Sequence, residues 1–170
     1  MVITVGVAMS AACGGAPPGP SDLAFVHHMV PHHELGLRMT ELALLNAQDV
    51  RVREFGFEMS RYQGRELVTL RSLKARWLQH AGSHTTDPPD GMLTAAEEDA
   101  LATASGPGFD HLWLDLMIRH HEGAVAMAAD ELANGRAMTL RSIAAEISKV
   151  QTYQIEQMRS TKAALGSELG

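Results

Sequence analysis

A single cysteine, Cys13, stands in a chain of 170 residues, so no intrachain disulfide framework can staple it and no cysteine cluster can hold structural zinc. Phe, Trp and Tyr together make up 5% of the residues, and Val and Ile are modest beside Ala, Leu and Met, which favours helix over sheet. No apolar run reaches the ~20 residues that a membrane-crossing helix needs. Basic charge is not in excess either. Lys and Arg number 14 against 20 Asp and Glu, a net charge of −6, which argues against nucleic acid and against a polybasic hold on a membrane. What remains is length enough for one helical domain with a full core.

What the chain does have is repetition. Met29-Val30-Pro31-His32-His33-Glu34 and the later Met39 return 88 positions on as Met117-Ile118-Arg119-His120-His121-Glu122 and Met127. Both copies read M-x-x-H-H-E-x-x-x-x-M. On a helix turning about 100° per residue, the first Met and first His share a face, the second His flanks it, and the last Met lies further along it. The same offset aligns Asp22 with Asp110, Phe25 with Trp113, Arg53 with Arg141, Gln63 with Gln151 and Arg71 with Arg159, with no gap between residues 22 and 75. This is the pattern of a duplicated helical hairpin. One hairpin is too thin to bury its own apolar stripe, so the expectation is an all-α four-helix bundle made of two hairpins packed face to face. Repeat 1 covers about 22–80 and repeat 2 about 109–165.

Residues 1–20 read as an address and a tether. A short apolar run from Val2 to Met9 leads to Ser10-Ala11-Ala12-Cys13 and then to Gly- and Pro-rich chain, a pattern like a bacterial lipoprotein signal with Cys13 as the lipidated residue. The folded domain is placed at 21–165. Ser21-Asp22 predicts an N-cap for a first helix reaching about Asn46, with a kink at Pro31. A second helix ends near Gln79, and Gly56 and Gly64, costly inside it, mark close backbone approach. His80 to Asp90 is a loop, and Thr94 to Glu97 is a capping box for a short helix. Long helices then begin near Phe109-Asp110 and after Asn134-Gly135.

With the repeat laid out, the chain resembles a bacterial family catalogued as domain of unknown function 305. The resemblance rests on F-x-x-x-M-x-x-H-H-E-x-x-x-x-M, on Phe109-Asp110 after a Gly-rich turn and on Gln151-x-x-x-Ile155-x-x-Met158, and it covers roughly residues 21 to 165. It implies a ferritin-like bundle, usually exported, some of whose members bind copper. Pro31, the extra His27-His28 pair and Glu66, where the second repeat has Gln154, depart from the pattern.

The donor types narrow the metal. Di-iron bundles need Glu-x-x-His pairs, and none occurs here. Imidazole with thioether is a soft-to-borderline set that suits Cu(I), with Cu(II) tolerated through histidine. The candidate ligands are Met29, His32, His33, Met117, His120 and His121, with Met39 and Met127 one layer away and His28 within reach of His32. Six are expected to converge in the bundle interior, and affinity to fall below the ordinary histidine pKa of ~6.5. The alternative is a metal-free helical interaction module with a polar core in which these histidines bond to Gln63, Gln151, Tyr62 or Glu66. Glu34 and Glu122 read as surface charges, and Arg71 and Arg159 as complements to helix dipoles. No catalytic constellation stands out, so a metal-using oxidoreductase ranks third. The sequence reading is therefore an exported, lipid-anchored copper buffer or chaperone, with the metal ion as partner, no nucleic acid, and oligomeric state open.

Overall fold

A computed structural model describes residues 17–77 and 89–168. Cys13 with the apolar run before it, and His80 and His84, lie outside the described residues. Four long helices and one short one follow in order: α1 (Pro20–Asn46), α2 (Val50–Trp77), α3 (Ala95–Thr103), α4 (Gly106–Asn134) and α5 (Met138–Glu168). The fold is all-α.

The helix ends follow their residues, with two shifts from the sequence reading. Gly19 rather than Ser21 caps α1, because Pro20 fits the first helical position and Asp22, at the third, turns its carboxylate back to the Gly19 N–H (2.6 Å). Likewise α4 starts at Gly106, with Pro107 in its first turn. Thr94 caps α3 as expected, its hydroxyl and the Glu97 carboxylate closing a reciprocal box. Pro31 does not interrupt α1. Val26, Met29 and Val30 before it and His32, His33 and Leu35 after it are all buried, and this packing outweighs the lost backbone bond.

The central pair, α1 and α4, runs antiparallel. Trp113 on α4 donates its indole N–H to the Met39 carbonyl of α1 (2.8 Å), and the start of α1 meets the residues just past the end of α4. At each end of this pair a buried aspartate reaches across to the other hairpin's turn. Asp110 accepts the backbone N–H groups of Gln48 and Asp49 (3.1 and 2.8 Å), and Asp22 accepts those of Arg136 and Ala137 (3.1 and 2.8 Å). Burial alone would raise the Asp22 pKa, but the backbone donors of Ala137, Gly19 and Arg136 hold it below the ordinary value.

Apolar packing falls into two clusters. One takes Met39, Val52, Met59, Phe109, Trp113, Met117 and Met158, roofed by Leu93 and Leu101 of the α3 region. The other takes Phe25, Met29, Leu67, Leu70, Ala124, Leu140 and Ile147. Each draws on α1, α2, α4 and α5. Between them lies a buried polar layer of His32, His33, Gln63, His120, His121, Gln151 and Gln154.

A buried histidine layer as candidate metal site

His32 and His33 come from the middle of α1, and His120 and His121 from the middle of α4. All four are fully buried. The antiparallel crossing stacks the His32 and His120 rings at 3.7 Å between centroids, tilted by 27°. His33 and His121 stand 6.3 and 6.0 Å from their neighbours on the same helix and turn toward α2 and α5. Room for the crossing comes from Gly36. A Cβ there would lie 2.1 Å from the Gln63 amide oxygen and 2.9 Å from the His120 ring. A second glycine covers the layer from outside. Gly123 receives the Pro89–Gly91 segment so closely that a Cβ would meet the Asp90 carbonyl oxygen at 2.1 Å, and Gly91, at φ 81°, lies on the Arg119 and His120 carbonyls.

Three imidazoles have one nitrogen committed. His33 Nε2 lies 2.7 Å from the Glu66 carboxylate, His121 Nε2 lies 3.0 Å from the Gln154 amide oxygen, and His120 Nε2 lies 2.9 Å from the His32 carbonyl. Each partner only accepts, so each Nε2 carries the proton and donates it. In the neutral ring the other nitrogen, Nδ1, is then a lone pair. All three Nδ1 atoms are buried and make no well-formed hydrogen bond, as is true of both ring nitrogens of His32, both amide atoms of Gln63 and the Gln151 oxygen. The Met117 carbonyl does lie beside the His121 ring, and the His120 and Asp90 carbonyls beside that of His32. Buried polar atoms are rarely left so, and among the described residues all but the Glu131 carboxylate oxygens fall in this one layer.

The surroundings keep the rings neutral. Burial is the main cause in each case, with neighbouring imidazoles adding to it. His32 is pushed down to about 3 and His121 to about 4, and His120 is held well below the ordinary value. The expected loss of ligand capacity near ~6.5 therefore moves to lower pH for these three.

The methionines are distributed by the antiparallel crossing rather than gathered at one point. Met117 packs in the cluster of Met39, and Met29 packs in that of Met127, so the histidine layer separates Met29 from Met117. Helix direction is the reason. The N-terminal half of α1 faces the C-terminal half of α4, which sends each repeat's first Met to the opposite side of the layer. His28 is half-buried with its ring 5.3 Å from that of His27, and its counterpart 88 positions on is the core residue Leu116. Among the described residues, no group of three or more His, Cys, Asp or Glu is arranged to hold a metal ion.

Glu34 and Glu122 lie at the surface, paired with Arg71 (2.8 Å) and Arg159 (2.5 Å). Those arginines thus serve cross-helix ion pairs rather than helix dipoles, and such exposed pairs contribute at most ~1 kcal/mol. Tyr62 is exposed and takes no part in the layer. Gln154, which the M-x-x-H-H spacing does not single out, completes the layer. Its signal was present in the spacing, since His33 to Glu66 and His121 to Gln154 are both 33 residues apart.

The family model described as Domain of unknown function (DUF305) matches residues 22–162. The chain belongs to this family. The DUF305 fragment from Deinococcus radiodurans is 27% identical, with 88% of this chain and 99% of that one covered at a TM-score of 0.77. CopM in its Cu(I)-bound form is 26% identical, covering 84% of this chain and 95% of that one at a TM-score of 0.72. The DUF305 protein from Streptomyces coelicolor shares the fold at 23% identity, 86% and 94% coverage and a TM-score of 0.78. No curated protein matches the chain. CopM is also known in Cu(II)-bound and Ag-bound forms. Among the described residues of this DUF305 chain, no helix is long and apolar enough to cross a membrane.

Proposed function

We propose that this DUF305 chain is an exported copper-binding protein that buffers or carries Cu(I), held at the cell surface through Cys13. The observation that carries the reading is the set of unpartnered, buried Nδ1 lone pairs on His33, His120 and His121, each ring anchored by its Nε2–H. Metal-ligating histidines characteristically donate their other N–H to a carboxylate or carbonyl oxygen, which fixes tautomer and orientation. His32, with both nitrogens unpartnered, is the fourth donor. Imidazole and thioether favour Cu(I), and the thioethers of Met39 and Met117 on one side and Met29 and Met127 on the other border the layer. The CopM likeness supports the same metal. The ion is cargo in this reading, and the protein is a carrier rather than an enzyme.

A second reading is a metal-free polar layer. The stacking of His32 on His120, and the absence among the described residues of a three-ligand His, Cys, Asp or Glu group, favour it. Titration with Cu(I), Cu(II) and Zn(II) under controlled redox conditions separates the two. A metal that binds only the folded state raises stability by ~2.7 kcal/mol at a hundredfold excess over its dissociation constant. Cu(I) should give that gain in the parent and not in the His32→Ala/His120→Ala variant. Equal stabilisation of both places the ligands elsewhere, and stabilisation of neither supports the metal-free layer.

A further inference from the structure

The outer face of α2 carries apolar side chains that the fold itself does not need. Val50, Phe57 and Val68 are 58%, 55% and 71% exposed. With Glu54, Arg61 and Gly64 they recur at alternating steps of four and three residues, which puts all six on one helical stripe. At its N-terminal end the stripe opens into a shallow depression lined by Leu44, Val50, Arg53, Glu54, Phe57 and Glu58.

The second hairpin provides an internal control. At positions 88 residues on, α5 has the same place in its own hairpin, and there Phe57 is matched by Ala145, Gly64 by Thr152 and Val68 by Glu156. Ala145, Thr152 and Glu156 are exposed in turn. The bundle thus tolerates small and polar residues at these positions, and only α2 makes them a ring, a glycine and a β-branched apolar side chain. Gly64 is equally unexplained within the chain. A Cβ there would meet nothing within 4 Å, although the sequence reading had given it a close-packing role.

Charge is segregated along the same stripe. Glu54 and Glu58 lie in its N-terminal half, and Arg61 and Arg65 in its C-terminal half. Among the described residues, none of the four takes part in an ion pair, while Arg61 and Arg65 lie over the Phe57 and Tyr62 rings at 5.8 and 5.1 Å. The arginines of the N-terminal half are engaged nearby, Arg51 with Asp49 and Arg53 with the Ala47 carbonyl. On α5 the matching residues are Ser142, Glu146, Lys149 and Tyr153, which have no such segregation.

We propose that the outer face of α2 is a self-association surface, on which a second copy of this chain packs its own α2 antiparallel about a two-fold axis. Only the antiparallel arrangement lays Glu54 and Glu58 of one copy toward Arg61 and Arg65 of the other, twice over, while a parallel one sets like charge on like. An isologous pairing of one patch with itself is also the commonest closed interface among homo-oligomers. The apolar residues supply the contact, Gly64 lets the backbones approach, and the charges set direction.

Sedimentation velocity of the whole chain over a concentration series tests this. The parent should sediment as a dimer at the upper concentrations. The F57A/V68E variant, which gives α2 the residues α5 already carries, should remain monomeric with helical content and thermal unfolding of a folded bundle. E54R/E58R and R61E/R65E should each be monomeric alone, and an equal mixture should recover the dimer. A parent that stays monomeric throughout overturns the proposal, as does a dimer that survives F57A/V68E. A mixture that fails to dimerise overturns the antiparallel charge pairing.

Discussion

Acidification should unfold this protein through its histidine layer. Free imidazole titrates at 6.5, whereas His32 and His121 are pushed down to about 3 and about 4 in the fold and His120 lies well below the ordinary value. With folded values depressed, the unfolded chain takes up protons first. Stability is therefore intact above 6.5 and is lost as pH falls toward the folded values. Between pH 7 and pH 5 His32 and His121 each favour unfolding by ~2 kcal/mol, or ~4 kcal/mol together, and His120 acts in the same direction. Glu131 works in the opposite direction. It is fully buried, and burial, then the neighbouring Asp22 carboxylate, push its pKa from 4.5 up to about 8. The folded state keeps a proton there that the unfolded chain releases, so its contribution grows as pH falls from 8 to 4.5, by ~2–3 kcal/mol between pH 7 and pH 5. His32 and His121 thus outweigh Glu131 by ~1–2 kcal/mol and His120 adds to the loss, against a typical stability of ~5–15 kcal/mol. Urea unfolding followed by far-ultraviolet circular dichroism at the two pH values measures it. The Glu131→Gln variant, freed of the opposing group, should lose ~4 kcal/mol or more. An unfolding free energy in that variant that is flat or higher at pH 5 would refute the claim that these imidazoles are buried in their neutral form.

Two glycines should respond in opposite senses. Gly123→Ala drives a Cβ into the Asp90 backbone, and overpacking of ~1–3 kcal/mol outweighs the helix gain of up to ~1 kcal/mol. Gly64→Ala meets nothing within the chain and should raise stability of the isolated chain by up to ~1 kcal/mol, both read from thermal unfolding at concentrations below any association. Asp110→Ala removes two charge-assisted bonds to the α1–α2 turn and should cost ~3 kcal/mol in urea unfolding, while a loss under ~0.5 kcal/mol would show that the turn holds itself.

The helices were legible because the 88-residue offset carries the same apolar spacing twice, and spacing alone fixes which face turns inward. Of the histidine layer, the four imidazoles were legible for that reason, and Gln63 and Gln151 followed from their own helical period, but Gln154 did not. Helix direction was not. M-x-x-H-H puts a Met and a His on one face, but only the antiparallel crossing decides that Met117 joins Met39 and not Met29. Gly36 and Gly123 make room for side chain and backbone from other segments, so their role depends on distance in space and not on position in the helix. Glu131 gives no periodic signal at all. Its counterpart in the first repeat is Ala43, and only the buried contact with Asp22 marks it.

Nitrogen chemical shifts of the histidine side chains, followed as Cu(I) is added to 15N-labelled protein under reducing conditions, test the central claim most directly. Before metal, His33, His120 and His121 should show the Nε2–H tautomer with Nδ1 as the lone pair. Cu(I) should then move the Nδ1 resonances of the layer, up to a defined stoichiometry, while the Nε2–H of each ring stays in place. Copper that binds without moving any Nδ1 resonance of His32, His33, His120 or His121 would contradict the account.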